Sequence, residues 1–206
     1  MSESQSRTWA DMIDANPNHS ADYIERFKVM EAAGRDLHGE ARLIDALVER
    51  GARILDAGCG PGRVGGRLAY LGHRVIGVDL DPVLVEEARA EHPNATWLVG
   101  DLAELDLSGQ EINEFDLIFS AGNVLPFVAA DSRKAAIARL ADHIAQSGRL
   151  VFGFGAERGY RFDQFFADAE AVGLSRDQVA STWDMRPFRD DSDFVVAIFS
   201  RAGNVA

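Results

Sequence analysis

The chain has 206 residues, the length of one domain, and 47% of them are hydrophobic, which is enough for a full core. No stretch approaches the ~20 continuous apolar residues that a membrane helix requires, and the polar, acidic N-terminus has no signal-peptide core. A formal net charge of -12 disfavours nucleic acid as a partner, because such a chain repels phosphates. The single cysteine excludes an internal disulfide, so we expect a cytoplasmic protein with no membrane contact.

The first fifty residues predict helices. Tyr23, Phe27 and Met30 recur at helical spacing. A second helix is predicted from about Leu37 to Arg50, ended by Gly51 in a left-handed cap.

After residue 51, short β-rich runs alternate with helical segments. The candidate strands are Arg53–Ala57, Arg74–Asp79, Thr96–Gly100, Phe115–Ser120 and Arg149–Phe154. The candidate helices are Arg63–Leu71, one that starts at Asp81-Pro82, and two that run from about Asp131 to Ala145 and from about Arg161 to Val172. The strands are apolar nearly throughout, as strands covered on both faces should be. This alternation predicts a doubly wound parallel α/β sheet.

The end of the chain breaks the alternation. Gln178–Met185 and Asp193–Ser200 are candidate strands with only a turn between them, so they must pair antiparallel at or near the sheet edge. We therefore expect one domain over residues 1–206, with an N-terminal helical segment over residues 1–50 and an α/β core over residues 51–206.

A glycine-rich turn follows the first strand, in the stretch ILDAGCGPGRVGGRL. Glycine lets a ligand approach the backbone closely, and the helix that begins after the turn points free N–H groups at the ligand. Gly58, Gly60 and Gly62 have the spacing G-x-G-x-G. The dinucleotide fingerprint G-x-G-x-x-G would need glycine where Arg63 stands.

Acidic residues end the next two strands, beside this turn. Asp79 ends the second strand, where a carboxylate accepts hydrogen bonds from both ribose hydroxyls and repels a 2′-phosphate. Asp101 follows the third strand and can accept a hydrogen bond from an adenine amino group, while the Leu102 N–H can serve the ring. A nicotinamide-dependent oxidoreductase is disfavoured because the glycine spacing differs and no Tyr-x-x-x-Lys pair is present.

Together these motifs resemble those of the class I S-adenosylmethionine-dependent methyltransferases. ILDAGCGPG is similar to the first motif of that family, VIGVDLD to the acidic second motif and LVGDL to the adenine motif. FDLIFSAGNVLPFV resembles the fourth strand and its following loop. The resemblance covers roughly Arg53 to Ser200. It implies a Rossmann-like, seven-stranded sheet, mostly parallel with an antiparallel seventh strand, an N-terminal helical lid, and S-adenosylmethionine as cofactor.

The resemblance also implies a set of cofactor-binding residues. They are Tyr23, Arg35, Asp56, Gly58, Cys59, Gly60, Asp79, Leu80, Gly100, Asp101, Leu102 and Ser120. The turn and the aspartate before it would serve the methionine end, the second strand end the ribose, and the third strand end the adenine. The Ser120 carbonyl would lie under the sulfonium. In the lid, Tyr23 would close on the cofactor and Arg26 or Arg35 would pair with its carboxylate.

Ordinary structural roles compete with three of these assignments. Asp56 can serve as a strand-end cap, Leu80 as plain core, and Tyr23 as helix core. By contrast, an acid that closes an apolar strand needs a partner, so a purely structural role for Asp79 is weak.

The sequence narrows the methyl acceptor by elimination. A sulfonium is already activated, so the enzyme mainly has to orient the acceptor and exclude water. Cysteine-dependent methylation of cytosine is disfavoured because Cys59 lies in the glycine turn, and SAGNVLPF lacks the N/D-P-P-Y/F loop used on base and glutamine amino groups. No acidic cluster follows the fourth strand, so we expect transfer without a metal.

No catalytic residue is assigned from the sequence. His19 and His38 are candidate bases because they lie in the lid, whereas His73, His92 and His143 are expected at the surface. The leading hypothesis is a methyltransferase that acts on a small molecule. The alternative is a non-catalytic S-adenosylmethionine-binding protein, a sensor or an assembly partner. The oligomeric state and the atom that is methylated stay open.

Overall fold

The computed structural model describes residues 7–203, in which seven strands alternate with helices. The strands are β1 (Arg53–Ala57), β2 (Arg74–Asp79), β3 (Thr96–Val99), β4 (Phe115–Ala121), β5 (Ile144–Gly155), β6 (Leu174–Ala180) and β7 (Phe194–Arg201). The helices are α1 (Trp9–Ala15), α2 (His19–Ala32), α3 (Gly39–Ala46), α4 (Arg63–Tyr70), α5 (Pro82–Glu91), α6 (Val124–Phe127), α7 (Arg133–Asp142) and α8 (Phe162–Ala171). A single 3₁₀ turn covers Leu102–Glu104 within the described part of the chain.

All seven strands form one sheet in the order β3-β2-β1-β4-β5-β7-β6. Neighbouring strands from β3 to β5 are parallel, whereas β7 is antiparallel to both β5 and β6. This confirms the predicted fold class and the antiparallel seventh strand. Strands β2 and β4 lie on opposite sides of β1. The connections that follow β1 and β3 therefore run in opposite directions across the sheet. A crevice opens at that point, at the carboxyl ends of the strands.

Apolar side chains cover both faces of the sheet. One layer joins Ile118, Phe152 and Phe154 to Phe165 of α8 and Leu140 of α7. The other joins Ile54, Leu117 and Phe119 to Ile44 of α3 and Leu68 of α4. The strands between these layers are buried on both sides, which explains their continuous apolar sequence. Within residues 7–203, every helix is too short or too polar to cross a bilayer.

The sixth strand begins earlier than the sequence predicts. The expected strand Gln178–Met185 is wrong, because β6 ends at Ala180 and a turn follows in which Met185 has a φ of 64°. The residues of β6 from Ser175 to Gln178 are exposed on the sheet edge and carry polar side chains, which hides the strand in the sequence. Trp183 lies outside the strand and packs over Gly153, where an added Cβ would lie 2.3 Å from its ring.

Two helix boundaries also differ from the prediction. Helix α7 ends at Asp142, not near Ala145, because Ile144 already pairs with Phe115 in the sheet. Helix α3 is shorter than predicted and ends at Ala46, although Gly51 does have the expected positive φ, 74°.

The surface position expected of His73 is wrong. Its imidazole is buried, and its Nε2 lies 2.9 Å from Asp45 Oδ1, on α3. That hydrogen bond compensates for the burial of a polar ring.

Candidate functional site

The glycine turn after β1 is held by the neighbouring strand. The N–H groups of Gly58 and Cys59 donate to the Val78 carbonyl at 2.8 and 3.0 Å. Gly58 and Gly60 have φ values of 82° and 54°, which a side chain would strain. A Cβ on Gly58 would overlap the Val124 side chain at 2.4 Å. A Cβ on Gly60 would instead meet only Tyr23 Cε1, at the ordinary van der Waals distance of 3.8 Å.

Asp79, at the end of β2, holds this turn in place and can accept further hydrogen bonds. Its Oδ2 accepts a hydrogen bond from the Gly60 N–H at 2.8 Å, and its Oδ1 accepts one from the Asp81 N–H at 3.0 Å. Burial raises the pKa of this carboxyl. An ionised carboxylate offers about four lone-pair sites, so acceptor capacity remains for a ligand.

Asp56, at the end of β1, is almost completely buried. Its Oδ2 accepts a hydrogen bond from the Gly65 N–H of α4 at 2.9 Å, the contact expected of a structural cap. Burial raises the pKa of the Asp56 carboxyl to about 7, although the Gly65 N–H and the charge of Arg63 act in the opposite direction. A cation placed beside Asp56 would therefore favour its ionised form.

Aromatic side chains of α1 and α2 cover the turn. The ring centroids of Trp9 and Tyr23 lie 5.4 Å apart, and those of Tyr23 and Phe27 lie 5.1 Å apart. Phe127 of α6 approaches from the other side, 6.1 Å from Trp9. Burial raises the pKa of Tyr23, which keeps its hydroxyl protonated. We call α1 and α2 together the N-terminal cap.

Two cavities lie beneath the N-terminal cap. The first, about 280 Å³, is the Asp79 cavity; it is also lined by Leu80, Gly100, Asp101 and Leu102. The second, about 480 Å³, is the Asp56 cavity; it is also lined by His19, Arg26, Glu40 and Arg63. The two share the wall residues Trp9, Tyr23, Gly58, Gly60, Ala121, Gly122 and Phe127. The glycine turn therefore forms part of the boundary between them.

Two of the carboxylates in the Asp56 cavity already have partners. Glu40 lies 2.6 Å from Arg63, and Asp36 lies 2.7 Å from Arg42. Burial acts to raise the pKa of Glu40, but its hydrogen bonds with Arg63 outweigh burial and lower the pKa below its ordinary value. Both groups are therefore ionised and held by arginines.

Comparison with solved structures identifies proteins with the same fold. The chain superposes with a TM-score of 0.86 on the crystal structure of a TehB-like SAM-dependent methyltransferase from Corynebacterium glutamicum. The two sequences are 48% identical, and the match covers 90% of this chain and 100% of that one. The chain belongs to the class I S-adenosylmethionine-dependent methyltransferases. S-adenosylmethionine is accordingly its cofactor.

A family model and curated relatives agree with this assignment. The family model described as "Methyltransferase domain" matches residues 54–148 of this methyltransferase. It is 28% identical over 133 residues to a magnesium-protoporphyrin O-methyltransferase of Rhodobacter capsulatus, covering 61% of this chain and 54% of that protein. It is 29% identical over 140 residues to a dTDP-3-amino-3,6-dideoxy-alpha-D-glucopyranose N,N-dimethyltransferase of Streptomyces fradiae, covering 65% and 53%. The chain thus spans about half the length of these curated relatives.

The methyltransferase brings most of its predicted cofactor residues together. Tyr23, Asp56, Gly58, Cys59, Gly60, Asp79, Leu80, Gly100, Asp101 and Leu102 line one or both cavities. Leu80 is 49% exposed and so is not plain core. Arg35 is exposed and lines neither cavity. Ser120 is buried one residue before the cavity wall, which begins at Ala121.

Several wall residues of the methyltransferase site were not predicted from the sequence. Trp9 lines both cavities, as do Ala121 and Gly122 after β4. Gly122 follows β4 directly, just as Gly58 follows β1. This shared position could have identified Gly122 from the sequence. Trp9 gives no such signal, because its place in the site depends on how α1 packs on the core.

Proposed function

We propose that this protein transfers the methyl group of S-adenosylmethionine to a small-molecule acceptor that binds in the Asp56 cavity, and that it does so without a metal. The observation that supports this most directly is the pair of cavities that share one wall at the glycine turn. A cofactor that reaches from the Asp79 cavity to this wall would present its reactive end to the second cavity.

The Asp79 cavity fits an adenosine group. Asp79 would accept hydrogen bonds from the ribose hydroxyls with the lone pairs that the backbone donors leave unused. The half-exposed Leu80 side chain offers an apolar surface to the adenine. Asp101 begins the 3₁₀ turn by accepting a hydrogen bond from the Ala103 N–H at 2.8 Å, which places its exposed carboxylate at the rim of the cavity.

The glycine turn and Asp56 fit the methionine end. Because Gly60 has no side chain, a ligand could approach the backbone at the wall that the two cavities share. Burial makes the Asp56 carboxyl easy to protonate when no cation is near. A neighbouring ammonium group would favour the ionised form and pair with it. Arg35 and Ser120 remain proposals for the cofactor carboxylate and the sulfonium, although neither lines a cavity in this structure.

The Asp56 cavity would hold the methionine end of the cofactor beside Asp56 and a small acceptor next to it. Ligand pockets typically occupy ~300–1,000 Å³, and its volume of about 480 Å³ falls in that range. When bound, S-adenosylmethionine supplies an already activated methyl group. The work of the chain is then to orient the acceptor and exclude water, which the rings of Trp9, Tyr23 and Phe127 would do.

The relatives support the acceptor class without fixing its identity. One is named for a porphyrin acceptor and another for an amino sugar, both small molecules. Both are named as methyltransferases, so the non-catalytic alternative is not favoured. The net charge of -12 argues against a nucleic-acid acceptor. A cytoplasmic location remains a prediction.

No metal is expected to take part. Among residues 7–203, no group of three or more His, Cys, Asp or Glu side chains is placed to hold an ion. The acceptor would then be oriented by protein groups alone.

The test is a transfer assay with methyl-labelled S-adenosylmethionine and a panel of small alcohols, amines and thiols, run with and without a chelator. We expect label in at least one small acceptor, formation of S-adenosylhomocysteine, and the same rate in the chelator. Label found only in protein or nucleic acid would refute the acceptor class. Activity that is lost in the chelator and restored by magnesium would refute the metal-free assignment.

A further inference from the structure

Asp81 joins the N-terminal cap to the loop that carries Asp79. Its carboxylate is almost fully buried and accepts hydrogen bonds from three groups. Oδ1 accepts from the Val83 N–H at 2.9 Å and so caps the N-terminus of α5. Oδ2 accepts from the Trp9 indole N–H at 2.9 Å and from the Ser20 hydroxyl. Two of the three donors therefore come from the N-terminal cap.

The same residue also contacts Asp79. The backbone N–H of Asp81 donates to Asp79 Oδ1 at 3.0 Å, so one residue holds the N-terminal cap with its side chain and Asp79 with its backbone. Trp9, which it anchors, lines both cavities and packs against Tyr23 and His19. A shift of this carboxylate would move the cavity wall and the Asp79 loop together.

An ion pair also joins the N-terminal cap to α5, and it is weaker than the Asp81 contact. Lys28 of α2 lies 2.5 Å from Glu87 of α5, but its side chain is half exposed. Solvent screens the half-exposed Lys28 ammonium, which weakens this ion pair, whereas the Asp81 carboxylate accepts its hydrogen bonds away from solvent. Asp81 therefore provides the buried polar contact between the N-terminal cap and α5.

We propose that Asp81 is a positioning residue that couples the seating of the N-terminal cap to the binding of S-adenosylmethionine. With the cap seated, Trp9 completes the wall of both cavities and Asp79 is held in place. Cofactor binding then stabilises the seated cap, and the seated cap strengthens cofactor binding by the same factor, because coupling between two equilibria is reciprocal. This coupling concerns the cofactor alone and does not depend on which acceptor is methylated.

Two substitutions in the full-length protein separate this role from simple support of the fold. Asp81→Asn keeps a good N-cap for α5, because the amide oxygen can still accept from Val83. Its NH₂ group would then face the Trp9 donor, so the hydrogen bond from Trp9 is lost, whereas the Ser20 hydroxyl can turn to accept from the NH₂ group. Trp9→Phe keeps an aromatic ring but removes the indole N–H together with part of the ring.

A matched control is Asp106→Asn. Asp106 also accepts a hydrogen bond from a backbone N–H two residues on, that of Ser108 at 2.9 Å, and it lines neither cavity. The measurements are the dissociation constant for S-adenosylhomocysteine by calorimetry and the amide hydrogen exchange of each variant without ligand.

We expect Asp81→Asn and Trp9→Phe each to weaken binding roughly tenfold, equivalent to ~1.4 kcal/mol. Exchange should accelerate over residues 9–32 and stay unchanged in β1 and β4, and the control should match the wild type. The double variant should bind no more weakly than Asp81→Asn alone, because both changes remove the same hydrogen bond.

The proposal is wrong if Trp9→Phe binds and exchanges like the wild type, or if the two effects simply add. It is also wrong if exchange accelerates throughout the sheet, since that would indicate a general loss of stability. Trp9→Phe alone decides the matter if Asp81→Asn does not fold. None of these measurements uses an acceptor, so a failed transfer assay would leave the result intact.

Discussion

Asp79 holds the glycine turn through the Gly60 N–H and still has acceptor sites to offer a ligand. We predict that Asp79→Asn will weaken S-adenosylhomocysteine binding roughly tenfold or more, because a neutral amide loses charge-assisted hydrogen bonds worth ~1.5–3 kcal/mol each. Its oxygen can still accept from Gly60, so the turn should persist. Calorimetry on variant and wild type measures the change, and equal affinities in two equally stable proteins would contradict the ribose assignment.

Asp56 should make the stability of the ligand-free protein depend on pH. The pKa of its carboxyl is raised from an ordinary value of 3.8 to about 7 in the folded protein, so between these values the folded state binds a proton that the unfolded state lacks. The stability that this bound proton gives the folded protein is therefore complete below about pH 4 and is lost as pH rises through 7.

Asp56→Asn removes this dependence while its amide oxygen can still accept from the Gly65 N–H. We predict that the variant melts at a higher temperature than the wild type at pH 8, and that this advantage shrinks or reverses at pH 5. Thermal melts of both proteins at the two pH values test this. A difference in melting temperature that is the same at both would show that Asp56 does not titrate in this range.

Individual cavity residues were predictable where the backbone geometry of a strand end requires a particular residue type. Gly58, Gly60 and Asp79 stand at strand ends, where the parallel sheet brings its ligand-facing residues together. Trp9 was not assigned, because the sequence pattern of an apolar ring is the same whether the ring packs in a core or faces a cavity. Only the packing of α1 distinguishes the two.

We expect cofactor binding to depend most on the turn between β1 and α4. We predict that Gly60→Val abolishes binding of S-adenosylhomocysteine, because its side chain would point into the shared wall of the two cavities. A positive φ imposes strain of order 1–3 kcal/mol on any such variant, so stability also falls.

Gly51→Val is the matched control for that strain. Gly51 has a φ of 74°, and an added Cβ there meets no atom within 4 Å. Both variants should lose comparable melting temperature, but only Gly51→Val should bind the ligand like the wild type. If Gly60→Val retained full affinity, the turn could not be the binding site.

How well the sequence predicted each strand or helix depended on how that element is buried. Strands β1, β2 and β4 are covered on both faces, so they are continuously apolar and were found nearly in full. Strand β6 lies on the sheet edge with polar residues such as Arg176 and Asp177 exposed, so its sequence resembles a loop. The end of α7 was missed because pairing of Ile144 with Phe115, far away in sequence, overrides the helical pattern.

Across the whole molecule, the sheet supplies one side of the site and the N-terminal cap supplies the other. The carboxyl ends of β1, β2 and β3 carry Asp56, Asp79 and Asp101, which the order of strands brings to one crevice. The fold class followed from the alternation of strands and helices. The division of the crevice into two cavities did not, because it depends on rings that α1, α2 and α6 place above it.

The central claim is that this crevice binds S-adenosylmethionine, and a calorimetric titration of the full-length protein tests it most directly. The ligands are S-adenosylmethionine, S-adenosylhomocysteine and NAD⁺, each added separately to ligand-free protein. We predict saturable binding of both adenosyl ligands to one site per chain and no heat of binding with NAD⁺, since Arg63 stands where the dinucleotide fingerprint needs glycine. Binding of NAD⁺ with no response to either adenosyl ligand would contradict the account.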